Sequence, residues 1–269
     1  MKRLLSLPFC VLLLSATNSC HDKDPGPALC RPHALLYDTD SIVYNYESGQ
    51  IKTIDYFVSG RQTRQDEFNY SGNQLVTVSK LTIQFDGTST LDSHHALSYN
   101  SEGKPTLLTT DSYAGHFITE FTHENDRLTK AETSSGYTQT YFVGSTRYEY
   151  DNNGNIPKIY YTINTNAGVT EVLARENLSF DEKDKFYVNA SELKVANEYI
   201  SGYLPGKNNC LSATVYYYSY AQHFSSPLSV TYSSAYNDQG LISSLKNEGT
   251  STQLNSGEVL FNKVSYNCN

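Results

Sequence analysis

The stretch Tyr148-Glu149-Tyr150-Asp151-Asn152-Asn153-Gly154-Asn155-Ile156 decides the fold. Successive strand side chains alternate across the pleat, so two tyrosines spaced by two share one face. The run Asp-Asn-Asn-Gly then brings residues that bond their own backbone and a glycine that accepts positive φ, so the chain turns. Ile156 restarts an apolar pattern on the returning strand. One such unit is a hairpin, and a hairpin alone is barely stable in water.

The unit recurs along the chain. Tyr44-Asn45-Tyr46 turns near Gly49 and restarts at Ile51, and Phe68-Asn69-Tyr70 turns near Gly72 and restarts at Leu75. Leu97-Ser98-Tyr99 precedes Gly103 and Pro105, and Phe121-Thr122-His123 precedes Asn125 and Leu128. Leu178-Ser179-Phe180 and Ala235-Tyr236, the latter before Gly240 and Leu241, complete the series. From Tyr46 to Tyr236 the steps are 24, 29, 24, 27, 30 and 56 residues, the last being two periods of 28. A fixed period marks a repeat architecture in which neighbouring units bury one continuous face. The expected fold is all-β: a long twisted antiparallel meander, open or curled, with Tyr46, Tyr70, Tyr99, Tyr150, Phe180 and Tyr236 on one face. Twenty-three tyrosines and no tryptophan fit that composition. Only the stretch near 190–206 breaks the pattern. There Leu193, Val195, Ala196, Tyr199 and Ile200 follow helical spacing between Ser191 and Pro205-Gly206, so a short helix or irregular insertion capping the apolar side is expected.

The element Tyr148 to Ile156 resembles the tyrosine-aspartate (YD) repeat of the Rhs family, and the other copies look like decayed versions of it. The chain is also similar to YD-repeat, Rhs-like lipoproteins of Gram-negative gut-type bacteria. In those an Asp-x-Lys-x-Asn-Pro-aromatic element introduces an irregular segment before Asn-Asn-x-Leu. Here Asp181, Lys183 and Phe186 match the first element, with Lys185 where Asn-Pro stands in the family. Asn208-Asn209-Cys210-Leu211 matches the second. The resemblance spans about residues 30–269. It implies the fold and brings no established activity, because its motifs encode turns.

The N-terminus sets the address. Lys2 and Arg3 precede the apolar run Leu4 to Leu14, and small or polar residues then lead to Cys20. That is the plan of a secretory signal, and its apolar part falls short of the roughly 20 residues a bilayer span needs. Residues 1–19 are read as the signal peptide, 20–29 as a lipidated cysteine and flexible tether, and 30–269 as one repeat domain. Lipid on Cys20 would hold the chain to the outer membrane, and Asp22 and Asp24 point to display at the cell surface. The periplasmic face, or cleavage near Ser19 and secretion, are the alternatives. Removing Lys2 and Arg3 takes the net charge from −8 to −10. An acidic chain repels phosphate backbones, so nucleic acid is not an expected partner. A monomer is expected.

Candidate chemistry is sparse. Asp151 to Asn155 invites a calcium reading, but Gly154 sits at position four and Thr162 at position twelve of such a loop, where an EF-type loop needs glycine at six and glutamate at twelve. Adjacent His94 and His95 face opposite sides of a strand, so no metal site is expected, and no cofactor is expected either. No nucleophile, zinc-protease or phosphate-loop motif stands in the sequence. Tyr216-Tyr217-Tyr218-Ser219-Tyr220 is the densest aromatic cluster. Tyr160, Tyr161 and Tyr217 are candidates for an exposed platform that stacks on sugar rings or a protein partner, against the alternative of tyrosine pairs that merely stabilise the sheet.

Three cysteines follow the tether, Cys30, Cys210 and Cys268. The ends of a flat meander would lie tens of ångströms apart, whereas a disulfide needs Cα atoms within about 7 Å. A Cys30–Cys268 bond therefore requires the sheet to curl closed or the first segment to lie along the last strand. It is the expected pairing, with Cys210 buried and reduced. The functional expectation is a non-enzymatic envelope lipoprotein that binds or scaffolds, with a glycan or surface protein as ligand. A carbohydrate-active hydrolase and a ligand-free structural periplasmic lipoprotein are the alternatives.

Overall fold

The computed structural model describes residues 30–137, 141–165, 168–185, 194–201, 205–216, 227–248 and 261–268. Cys20, Asp22, Asp24 and Tyr217 lie outside them, as do Ser191 and Leu193. The first strands are β1 (Cys30–Leu36), β2 (Ser41–Glu47), β3 (Gln50–Val58), β4 (Arg61–Ser71) and β5 (Gln74–Ile83). They are followed by β6 (Ser89–Tyr99), β7 (Pro105–Ser112), β8 (Gly115–Glu124), β9 (Arg127–Ser135) and β10 (Tyr141–Glu149). The last are β11 (Lys158–Thr165), β12 (Gly168–Asp184), β13 (Asn208–Val215), β14 (Leu228–Tyr236), β15 (Ile242–Asn247) and β16 (Lys263–Cys268).

All sixteen form one antiparallel meander, and β16 returns to pair with β1. The remaining gap, between β15 and β16, is bridged at Leu245 and Phe261 by two backbone hydrogen bonds of 3.0 and 2.8 Å. The sheet is thus curled into a nearly closed barrel. Cys30 and Cys268 stand opposite each other in the β1–β16 register and are joined by a disulfide, while buried Cys210 keeps its thiol, which donates to Asn177 Oδ1 at 3.3 Å.

The repeat residues build the core from inside the ring. Tyr46, Tyr70, Tyr99, Tyr150, Phe180 and Tyr236 all pack against one hydrophobic cluster. Behind each turn the apolar residues are spaced by three: Ile51 and Ile54, Leu75 and Val78, Leu128 and Ala131, Ile242 and Leu245. Simple alternation would send such pairs to opposite faces. A register shift before each aromatic, at Asn45/Tyr46, Asn69/Tyr70 and Thr122/His123, inserts the extra residue of a β-bulge and returns both to the interior.

Three of the turns share one device. Asp151 Oδ1 accepts the N–H groups of Asn153 and Asn155, at 2.9 and 2.8 Å. Asn100 and Asn237 do the same in their own turns. Gly154 completes its turn at φ +87°, where a Cβ would be strained. The fourth repeat lacks glycine and places Asn125 and Asp126 at positive φ, the pairing a two-residue hairpin needs.

Tyrosine, rather than phenylalanine, is used at the second aromatic position for its hydroxyl. Tyr70 donates to the Ile51 carbonyl at 2.9 Å, Tyr99 to Leu75 at 2.5 Å, Tyr150 to Leu128 at 2.9 Å and Tyr266 to Ile242 at 2.8 Å. Each bond runs from one repeat to the first aliphatic residue of the one before, so the hydroxyls lock neighbouring hairpins. Phe180 has no hydroxyl, and there Asn177 Nδ2 donates to Ile156 at 2.5 Å instead. Tyr70→Phe should therefore cost about 1 kcal/mol in urea unfolding, whereas Phe180→Tyr should bring no gain because its acceptor is already engaged. Equal effects at the two sites would sink this account of the tyrosines.

One expectation is corrected and one is met. The repeat spacing puts Leu178 on the inner face, but it is 60 % exposed. Register shifts on both sides of Ser179 rotate the strand, and buried Asn177 takes an inward place. In the 190–206 insertion the helical segment is one π-helical turn, Ala196–Ile200, closed by the Ser201 N–H on the Ala196 carbonyl at 2.9 Å. It lies within the ring, where Ala196, Tyr199 and Ile200 meet the core.

Candidate functional site

The two ends of the barrel differ. The repeat turns, at Gly49, Gly72, Gly103, Gly154 and Gly240, gather at one end with Cys30 and Cys268. There the residue after a turn braces the next turn: Gln50 reaches the Gly72 carbonyl at 3.0 Å, Lys104 reaches Asp126 at 2.5 Å and Arg127 the Asp151 carbonyl at 3.1 Å. The other end carries the alternate connections. Of ten large apolar side chains exposed among the described residues, eight lie there: Val58, Phe85, Leu91, Tyr113, Tyr137, Tyr141, Val143 and Val169. The sheet puts them at one rim because every second connection of a meander falls at the same end.

Several of these rings are held in place. Phe85, 91 % exposed, lies under the Arg61 guanidinium at 3.5 Å from its centroid, and Arg61 is tied to the Ile83 carbonyl at 3.3 Å. Tyr137, 77 % exposed, stacks on His116 at 4.6 Å, and its hydroxyl donates to Asp111 at 3.3 Å. Asp111 also accepts from His116 at 2.7 Å, which holds its carboxyl below the usual range. Tyr113 is 96 % exposed on the neighbouring turn.

Inside the ring a cavity of about 380 Å³ lies beside the π-helical turn. Its walls carry Thr110, Thr119, Thr133 and Thr146 among the rings of Phe117, Phe121, Tyr148 and Tyr199. His95 closes one side, hydrogen-bonded to Ser93 at 2.9 Å and Thr110 at 3.0 Å. Burial, helped by the charge of Lys80, pushes it down to about 4, so it is neutral. Glu198 forms the floor. It is 6 % exposed, and burial pushes its carboxyl up to about 7, while Lys194 and Lys185 pull the other way. A separate inward cluster lies on β3 to β5. Buried Asp66 there accepts from Arg64 at 3.0 and 3.1 Å and from the Tyr56 hydroxyl at 2.9 Å, opposite Lys80 in register.

The candidates from the sequence are distributed differently. Tyr160 and Tyr161 do not form one platform, since neighbouring strand residues face opposite ways. Tyr160 lies on the outside beneath Arg147, 3.9 Å from its guanidinium, and Tyr161 lines the cavity, 47 % exposed. His94 bonds Ser79 at 3.1 Å on the outer face, away from His95. His123 takes a repeat aromatic place and meets the Tyr199 hydroxyl at 2.9 Å. Asp151 is engaged by its own turn. Among the described residues no group of three or more histidine, cysteine, aspartate or glutamate side chains could hold a metal ion. Glu198, the rim and the Asp66 cluster had no sequence signal.

Together these features define a repeat-built antiparallel β-barrel with an apolar core that also encloses buried polar groups such as Asp66, His95 and Glu198, and a charged exterior. Ion pairs such as Arg147 with Glu149 and Glu171, and Lys130 with Glu132, occupy the outer face, where a transmembrane barrel carries an apolar band. No protein-family model matches the chain. No curated protein matches it either. Among solved structures it is similar to a porin-like protein from Bacteroides uniformis ATCC 8492, with 14 % identity over 89 % of this chain and 96 % of that one and a TM-score of 0.44. It is also similar to TcdB2-TccC3 without its hypervariable C-terminal region, with 18 % identity over 80 % of this chain, 9 % of that one and a TM-score of 0.35.

Proposed function

We propose that this protein is a non-enzymatic binding lipoprotein of the outer envelope, anchored by lipid on Cys20 and displayed at the cell surface, that captures a glycan on its far rim. The observation that carries the reading is the segregation of exposed rings to the end opposite Cys30, where the chain enters the barrel. A tether of residues 20–29 then leaves the rim pointing away from its own membrane. Phe85, Tyr113 and Tyr137 offer apolar faces on which sugar rings stack, and two of them are already immobilised, which lowers the entropy lost on binding.

The triple variant Phe85→Ala, Tyr113→Ala, Tyr137→Ala should bind immobilised polysaccharides at least tenfold more weakly than the parent, with an unchanged circular dichroism spectrum. Parent protein that ignores every polysaccharide but binds a surface protein through the same residues would replace the glycan with a protein ligand. Binding unaffected by the triple change would remove the rim from the account.

A further inference from the structure

Glu198 is a buried carboxyl without a hydrogen-bond or ion-pair partner among the described residues, and it faces a cavity large enough for a small molecule. Buried polar groups are ordinarily satisfied, and a buried carboxylate that is left alone is costly. The rest of the lining says what would satisfy it. Phe117, Phe121, Tyr148, Tyr161 and Tyr199 present five aromatic rings to the same space, and no lysine or arginine among the described residues lines it. Rings carry negative potential on their faces, so a carboxylate set among them suits a positive charge. Around Glu198 stand Lys194 on its own segment, Lys185 at the end of β12, and the hydroxyls of Tyr148, Tyr150 and Tyr199, raised by burial with a smaller part from Glu198. Neither lysine reaches ion-pair distance of Glu198. His95 on the opposite wall is neutral, and Arg64, against the other side of the π-helical turn, is committed to Asp66. The hydroxyls of Thr110, Thr119, Thr133 and Thr146 on the same walls can take the polar end of a ligand.

We propose that the lumen is a binding site for a small organic cation, a substituted ammonium whose charge pairs with Glu198 inside the aromatic wall. The net charge of −8 draws cations towards the protein. This site is separate from the rim and stands or falls independently of it.

Choline and its neutral carbon isostere 3,3-dimethylbutan-1-ol are the probes, titrated calorimetrically into the full chain. Choline should bind at least tenfold more tightly than the isostere. Its affinity should rise about tenfold between pH 6 and pH 8, as Glu198 ionises. Glu198→Gln keeps the shape, removes a buried charge and so should fold, and it should lose both the preference and the pH dependence. The rim triple variant should bind choline as the parent does. Equal binding of choline and the isostere, choline binding unchanged in Glu198→Gln, or no choline binding at all would each overturn the proposal while leaving the rim reading intact.

Discussion

Replacing both Cys30 and Cys268 with serine should lower the unfolding free energy by about 5 kcal/mol. The bond closes a loop with a sequence separation of 238 residues, nearly the whole described chain. In the chain-entropy picture a crosslink over a loop this long removes about 5 kcal/mol of unfolded-state freedom. Its place in the fold adds to the effect. β1 pairs with β2 only from Ala34 to Leu36, so the backbone ladder of Cys30 to Pro32 is made with β16, and only side chains, the Tyr46 hydroxyl on the Pro32 carbonyl and Arg31 on the Gly49 carbonyl, tie it to the β2 side. Without the clasp that half of β1 and the end of β16 lose their covalent tie and keep only hydrogen bonds, so the ring is expected to open there first. Urea unfolding of the parent and the double variant, each checked for free thiols, measures the difference. A loss below about 1 kcal/mol would mean that closure rests on the hydrogen-bonded register and not on the crosslink.

Glu198→Gln should stabilise the protein by about 2–3 kcal/mol at pH 8 and have little effect at pH 4.5. The folded carboxyl titrates near 7, above the ordinary 4.5. Folding therefore prefers its protonated form: the contribution of Glu198 is fully favourable below pH 4.5 and is lost as pH rises through 7. His95 acts in the opposite sense. Its folded value of about 4 lies below the ordinary 6.5, so its contribution is present above pH 6.5 and is lost as pH falls through 4. Between about 4.5 and 6.5 the two slopes offset each other. Glu198→Gln should uncover a stability that falls on acidification, and His95→Asn one that rises. Parallel pH–stability curves for the parent and both variants would refute the assignment.

The parts of the fold legible in the sequence are those encoded within one hairpin. The tyrosine pair, the Asp or Asn that folds back on its turn and the glycine at positive φ all act over about ten residues or fewer. Tyr46, Tyr70 and Tyr99 accordingly share the interior as their spacing requires. The three-residue spacing of Ile51 and Ile54 is also visible in the sequence, but only a bulge gives it meaning, and bulges belong to the pairing of two strands. Leu178 departs from its expected face for the same reason. Glu198 and its cavity are illegible because they depend on a segment between β12 and β13 folding into a space walled by β6 to β11. The rim is illegible because Phe85, Tyr113 and Tyr137 come from three different connections, and only the curl of the sheet brings them together.

The pairing of the last strand with the first also restricts how such a chain can change in length. In a meander the direction alternates, so strand one and strand n are antiparallel neighbours only when n is even, as it is for the sixteen strands of the described residues. Deleting or adding a single strand would bring β1 and its new neighbour side by side in parallel, with the wrong hydrogen-bond pattern and the crosslinked cysteines at opposite ends. The molecule can grow or shrink only by whole hairpins, in steps of about 24 to 30 residues, the repeat period of the sequence itself. Each step widens or narrows the lumen by two strands and leaves the clasp where it was. Circumference is thus a quantised property of this architecture, and the volume available to a guest inside it comes in increments set by the gene's own repeat.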